Sequence, residues 1–401
     1  MTSRPQPISL AIIILLTCLT GITALSIDMP LAGLPALALA FGEPEGRAQL
    51  VVGVFLAGFA LAQLVLGPIS DRFGRRPVLL VGLTVYVLAG VVCLSADSLS
   101  LLLPARFVQG VAACAGPVAA RAIVADLYEG TAAQRAMSIV TAGMGVAPIA
   151  APMLGGFLLI WFEWPAIFVT LAATGVALLL AVMLALQESH ARDRRSVLRP
   201  TSIILNYGTM LRHRMFMAYS MPSLLSGGAL FSFIAAAPFV LIGELGYAPQ
   251  TFGFFFATVM IGFISGASLS ARLSSTRPPA NMVRLGTKVM AVGGFGLMAG
   301  ALLGLHHVAA LVGPMAVVML GTGIMRPNSI TGAMAPFRDR AGAASALVGF
   351  LQMGGGVLAG LVAATRPEGG ITLYSTSIVI AVFAMLPSIS FWLLAPRQAE
   401  S

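Results

Sequence analysis

Twelve apolar runs, each long enough to cross a bilayer, follow one another along this chain with only short polar gaps between them. They lie at roughly 8–41, 48–70, 77–96, 99–125, 134–160, 165–187, 215–243, 249–272, 280–304, 308–335, 341–364 and 370–395. An α-helical span needs about 20 apolar residues. No interval is long and polar enough to fold as a separate soluble domain. Charged residues make up 9% of the chain and hydrophobic ones 58%, whereas a soluble domain carries about 25% charge. The expected fold is therefore all-α and integral to the membrane. The first run follows a single basic residue, Arg4, and no small-residue cleavage site ends it. It is expected to remain as the first span.

The longest polar stretch, 187–214, holds Arg192, Arg194, Arg195, Arg199, Arg212 and Arg214. It divides the chain into an N-terminal six-span half (1–187), a linker (188–214) and a C-terminal six-span half (215–401). With both termini placed in the cytoplasm, nearly every basic residue falls on the inner side. Only Arg47 and Arg366 lie outside, and Arg106 lies within a span. The outer loops carry Glu43, Glu45, Asp97, Glu163, Glu244 and Glu368 instead. This asymmetry fixes an even number of spans. It also accounts for the net charge of +9 without a nucleic-acid partner, because the charges are too sparse for a phosphate-binding face. Lys288 is the only lysine.

Soluble-type chemistry has little to work with. Lys288 follows Thr287, so there is no P-loop, and the four histidines form no zinc-protease motif. Cys18, Cys93 and Cys114 have no metal-binding or disulfide spacing. No catalytic residue, metal or cofactor is expected, and the chain is not expected to be an enzyme. Any work it performs would draw on gradients.

A few residues depart from the apolar background. Gly67-x-x-x-Asp71-Arg72-x-Gly74-Arg75-Arg76 joins spans 2 and 3. Gly67 would let helices approach closely, and Asp71 would pair with an arginine as a conformational latch. A weaker copy, Gly266 to Arg272 and Arg277, follows span 8, where a repeat would place it. Asp28 lies within the first run, beside Pro30, Gly33 and Pro35. An ionised aspartate at mid-bilayer costs about 2.5–3.5 kcal/mol on insertion scales. It is read as a proton carrier in a broken helix, with an outer-interface boundary residue as the alternative. Arg106 in span 4 is read as a cavity cation partnering Asp28, the alternatives being a structural ion pair or an interfacial arginine. Gln109 shares its helical face. Gly143, Gly145, Pro148, Pro152, Gly155 and Gly156 give span 5 a thin, kinkable surface. Phe231 and Phe233, with Phe239, Phe254 and Phe256, are candidates for an adaptable apolar substrate pocket. Asn328 and Gln352 are polar candidates for the same cavity.

These motifs carry a resemblance. The 67–76 loop resembles the signature of the major facilitator superfamily. Leu102-Leu103-Pro104-Ala105-Arg106-Phe107-Val108-Gln109-Gly110 is similar to its span-4 arginine motif. The 143–156 segment is similar to its span-5 antiporter motif, with Ala151 where a glycine usually precedes the proline. Asp28-Met29-Pro30, Leu34-Pro35, Arg121 to Tyr128, Ala237-Pro238-Phe239-Val240, Arg326-Pro327-Asn328 and Ala341 to Ala346 resemble the bicyclomycin/chloramphenicol-resistance (Bcr/CflA) branch. The resemblance implies two six-helix pseudo-repeats around a central cavity, alternating access, and efflux of a small amphipathic substrate in exchange for protons. It implies a monomer in the lipid bilayer of a bacterial inner membrane. A dedicated metabolite transporter (sugar, nucleoside or amino acid) stays open as an alternative. A non-transporting sensor is disfavoured because no soluble signalling segment is visible.

Overall fold

The computed structural model describes residues 9–128, 130–190, 200–274, 276–364 and 371–395. Arg4, Arg192, Arg194, Arg195, Arg199, Arg366, Glu368 and Arg397 lie outside the described residues. Among those described, twelve helices are long and apolar enough to cross a membrane. They are α1 (Leu10–Phe41), α2 (Glu45–Phe73), α3 (Arg75–Leu94), α4 (Leu99–Leu127), α5 (Arg135–Trp161), α6 (Pro165–Ala185), α7 (Arg214–Glu244), α8 (Pro249–Leu273), α9 (Pro279–Leu302), α10 (Val308–Phe337), α11 (Ala341–Val362) and α12 (Leu373–Leu394). Each coincides with one of the expected apolar runs.

The polar linker also contains a helix, Pro200–Arg212, which its composition does not advertise. At 13 residues it is too short to cross a bilayer. Ile204 and Leu205 are exposed on it, and Arg340 holds it by donating to Asn206 at 2.6 Å. At its end His213 caps α7, its Nδ1 accepting from the Phe216 amide at 3.4 Å. A reciprocal Thr372–Ser375 box caps the start of α12.

The chain forms two compact units. The first comprises Met1–Leu37 with Val54–Leu198, the second Ala38–Gly53 with Arg199–Ser401. Within the first, α1 packs on α4 and α5, and α3 packs on α4 and α6. Within the second, α7 packs on α10 and α11, and α9 packs on α10 and α12. Adding six to each helix number converts the first set of pairs into the second. The glycines follow the same rule. A Cβ at Gly110 of α4 would collide with the Phe55 carbonyl of α2, and one at Gly58 with the Phe107 carbonyl. In the second unit, Gly262 and Gly266 of α8 sit against the Ala316 and Leu320 carbonyls of α10. Backbone meets backbone at equivalent places. Such contact replaces the hydrophobic effect, which gives no drive between helices in lipid.

Candidate functional site

The first unit holds a buried polar site built around a break in α1. The regular helix runs Leu10–Asp28, a 3-10 turn follows over Leu31–Gly33, and the helix resumes over Leu34–Phe41. Pro30 explains the break, because proline has no N–H and cannot bond the carbonyl four residues back. That carbonyl belongs to Ser26. Arg106 of α4 supplies the missing donor, its Nη2 lying 2.8 Å from the Ser26 oxygen. Asp28 sits immediately before the break and is 4% exposed. Its carboxyl group has no hydrogen-bond or ion-pair partner among the described residues.

Arg106 is itself completely buried. Its Nη1 donates to Gln109 Oε1 at 2.7 Å, one helical turn along. Its guanidinium lies 4.5 Å from the ring centre of Phe55 and 5.8 Å from that of Phe168. The negative ring faces offset part of the cost of burying a cation. The Ser26 hydroxyl meets the Tyr86 hydroxyl at 2.6 Å and donates to the Ile22 carbonyl at 2.7 Å. Cys93 Sγ lies 4.0 Å from Gln109 Oε1. Gln109 Nε2 is buried, with no partner among the described residues. The expected direct pairing of Arg106 with Asp28 gives way to a different arrangement: the guanidinium reaches the backbone two residues earlier. Arg106 thus holds the shape of the break that presents Asp28.

The 67–76 loop closes one end of the same unit. Gly74 has φ 102° and ψ 158°, a conformation that side chains strongly disfavour. The turn brings Arg75 back onto α2, where its Nη1 donates to Asp71 at 2.5 Å and to Ser70 at 3.1 Å. Its Nε donates to Asp126, at the end of α4, at 3.0 Å. Asp126 also accepts from the Ser189 hydroxyl at 3.1 Å. Glu188 accepts from the Arg75 amide at 2.9 Å, placing a carboxylate at the positive N-terminus of α3. Arg76 bonds the Met183 carbonyl at 2.9 Å, and Arg72 lies over Phe73. The arginine expected to pair with Asp71 is therefore Arg75, and it ties together the ends of α2, α3, α4 and α6. The sequence reading missed Ser70, Asp126, Glu188 and Ser189 as members. Asp126 stood within a recognised segment, but Glu188 looked like the first charge of a solvated linker.

The remaining candidates divide. In α5 the helix is continuous through Pro148 and Pro152. Gly155 abuts the Met29 carbonyl and Gly143 abuts Thr17, so this surface packs on α1 beside Asp28. Gly156 is buried next to it. Gly67 and Gly145 do not make the close approaches expected of them, since a Cβ at either would meet nothing within 4 Å. Phe231 and Phe233 are buried in the second unit, and Phe233 stacks on Phe256 at 6.3 Å. Phe254 is largely exposed instead. The Asn328 amide is committed to helix packing, donating to Ser270 at 2.8 Å and to the Ile324 carbonyl at 2.9 Å. Gln352 is buried, with its carbonyl against Gly227.

The profile of the Major Facilitator Superfamily matches residues 16–360. The chain belongs to this superfamily. Among its relatives, Multidrug resistance protein D of Escherichia coli (strain K12) is 31% identical, covering 99% of this chain and 98% of that protein. A bicyclomycin resistance protein homolog of Haemophilus influenzae is 27% identical, covering 97% of each. These relatives agree with the bicyclomycin-resistance branch expected from the motifs. The xylose transporter XylE from E. coli, in a partially occluded inward open conformation, superposes with a TM-score of 0.72 at 12% identity. It covers 96% of this chain and 97% of its own, and shows the shared fold. The superfamily member described here is a multi-pass membrane protein, and the proteins it matches are transporters.

Proposed function

We propose that this chain exports small amphipathic molecules, drugs among them, in exchange for protons, by alternating access of two six-helix halves (1–187 and 215–401, joined by the 188–214 linker). The observation that carries the reading is Asp28: a buried carboxyl without a protein partner among the described residues, at a proline break in α1. Names along nearly full-length relatives supply the substrate class. A buried charge needs a partner. Either a proton or a substrate can meet the need of this carboxylate, but each excludes the other, which is the requirement for exchange.

In the cycle, substrate enters from the cytoplasm and Asp28 gives up its proton. The protein reorients, Asp28 is reprotonated from outside, substrate leaves and the neutral carrier returns. Arg106, Gln109 and Tyr86 keep the α1 break in shape while the charge on Asp28 changes. The glycine face of α5 lets α1 shift along it. The Arg75 network holds the end of the first half in one state. Each proton moving inward contributes about 2.3 kcal/mol per 100 mV. Phe231, Phe233 and Gln352 contribute apolar and amide surface for substrate. The protein works as a monomer in the bacterial inner membrane with both termini in the cytoplasm.

The test is flux in proteoliposomes carrying an internal pH-sensitive dye. With an imposed pH gradient, amphipathic antibiotics should trigger proton movement through the wild type and none through Asp28→Asn. Gradient-driven transport retained in folded Asp28→Asn would remove Asp28 from the mechanism.

A further inference from the structure

The second unit contains a cavity of about 770 Å³ that drug export leaves unused. It opens where α7 begins, α9 begins and α12 ends. Arg214, Arg284 and Lys288 line it, together with Thr287, Ser388 and Trp392. Arg284 and Lys288 stand one turn apart on the same face of α9 and are both exposed. Arg214 is fixed from α7 by donating to the Leu394 carbonyl at 3.1 Å. Among the described residues, none of the three cations joins an ion pair and no carboxylate lines the cavity.

Three like charges around one cavity repel unless an anion sits between them. Ser388 lines the cavity, and its hydroxyl is buried and without a hydrogen-bond partner among the described residues. Trp392, 77% exposed, and Leu393, 59% exposed, extend the rim onto the lipid-facing surface of α12. Tryptophan is enriched where acyl chains meet head groups. The occupant therefore combines an anionic oxygen-rich group with apolar chains.

We propose that this cavity binds the head group of an anionic phospholipid. Arg214, Arg284 and Lys288 hold its phosphodiester, Ser388 donates to it, and the acyl chains run past Trp392 and Leu393. Basic pockets between spans recognise such head groups in this way.

The test uses the full-length protein purified in neutral detergent, with retained lipid counted by native mass spectrometry as phosphatidylglycerol or phosphatidylcholine is titrated. Phosphatidylglycerol should be retained in preference. Each cation removed should weaken retention about fivefold, so Arg284→Gln with Lys288→Gln should lose about 25-fold. The charge-preserving pair Arg284→Lys with Lys288→Arg should retain most of the binding, which separates charge recognition from misfolding. Ser388→Ala should give a smaller loss at unchanged melting temperature. Inorganic phosphate at millimolar concentration should fail to displace the lipid. Equal retention of phosphatidylcholine would overturn the proposal, as would unchanged binding in the double glutamine variant. Full displacement by phosphate would overturn it in favour of a free-anion site.

Discussion

The first helix of each unit breaks at a proline, but the two breaks are furnished differently. In α1 the break follows Asp28, and Arg106 bonds the carbonyl freed by Pro30. In α7 the helix runs to Pro238 and opens into a wider π-type turn over Phe239–Glu244, after a run of Ala235, Ala236 and Ala237. The buried polar side chains along α7 are serine hydroxyls, of which Ser220, Ser223 and Ser232 have no partners among the described residues. In α10, Asn328 joins α8 by neutral hydrogen bonds, and the half-buried Arg326 lies over Phe263, whereas Arg106 of α4 is completely buried at the α1 break. One helical framework is used twice, and buried ionic chemistry is placed at only one of the two breaks. The glycine contacts can be shared because they build the framework. A second buried ionic cluster would add a further desolvation penalty of several kcal/mol per ion.

The contrast can be broken most severely at Asp28. Asp28→Asn should reduce substrate-triggered proton flux to that of protein-free vesicles, whereas Ala236→Asn in α7 should leave proton coupling in place; dye-loaded liposomes read both. Next is Arg106→Leu, which leaves the Ser26 carbonyl and Gln109 buried without their donor. It should cost about 1–3 kcal/mol for each of the two acceptors left unsatisfied, against one such loss for Asn328→Leu, as measured by denaturation in detergent. Gly110→Val and Gly266→Val sharpen the shared part. Each drives a side chain into a carbonyl of its partner helix, so both should lose about 1–3 kcal/mol. Gly67→Ala should stay within about 0.5 kcal/mol. A similarly small effect on stability is expected at Asp71. The Asp71 side chain is 48% exposed, so Asp71→Asn should cost about 0.2–1 kcal/mol of stability. It should slow turnover more than it weakens substrate binding, and stopped-flow transport beside equilibrium binding separates the two.

The framework was legible in the sequence because a bilayer imposes a length and a polarity that side chains must obey. All twelve runs could be read that way, and Gly110 and Gly155 stood in recognisable motifs. The site was legible only where a polar residue interrupted an apolar run. Asp28, Arg106 and Gln109 announce themselves so. Phe55 and Phe168 do not, since an aromatic ring that covers a buried guanidinium looks the same in sequence as one that faces lipid. Tyr86 and Ser26 were hidden for a related reason: each is unremarkable alone and gains meaning only from the other, 60 residues away. Asn328 was visible as polar, but composition could not distinguish an amide that lines a cavity from one that joins two helices. The linker helix was overlooked because an amphipathic helix divides its character between two faces and satisfies neither pattern fully.

The glycines that touch a neighbouring carbonyl also have a genetic consequence. Every missense change at a glycine codon installs a larger residue. At Gly58, Gly110, Gly116, Gly155, Gly227, Gly262, Gly266 and Gly355, each such change drives an atom into another helix's backbone. Inherited variation in this gene should therefore be purged from the seams between helices and accumulate on outward surfaces, so that sequencing natural isolates would trace the packing of the protein without any structure at all.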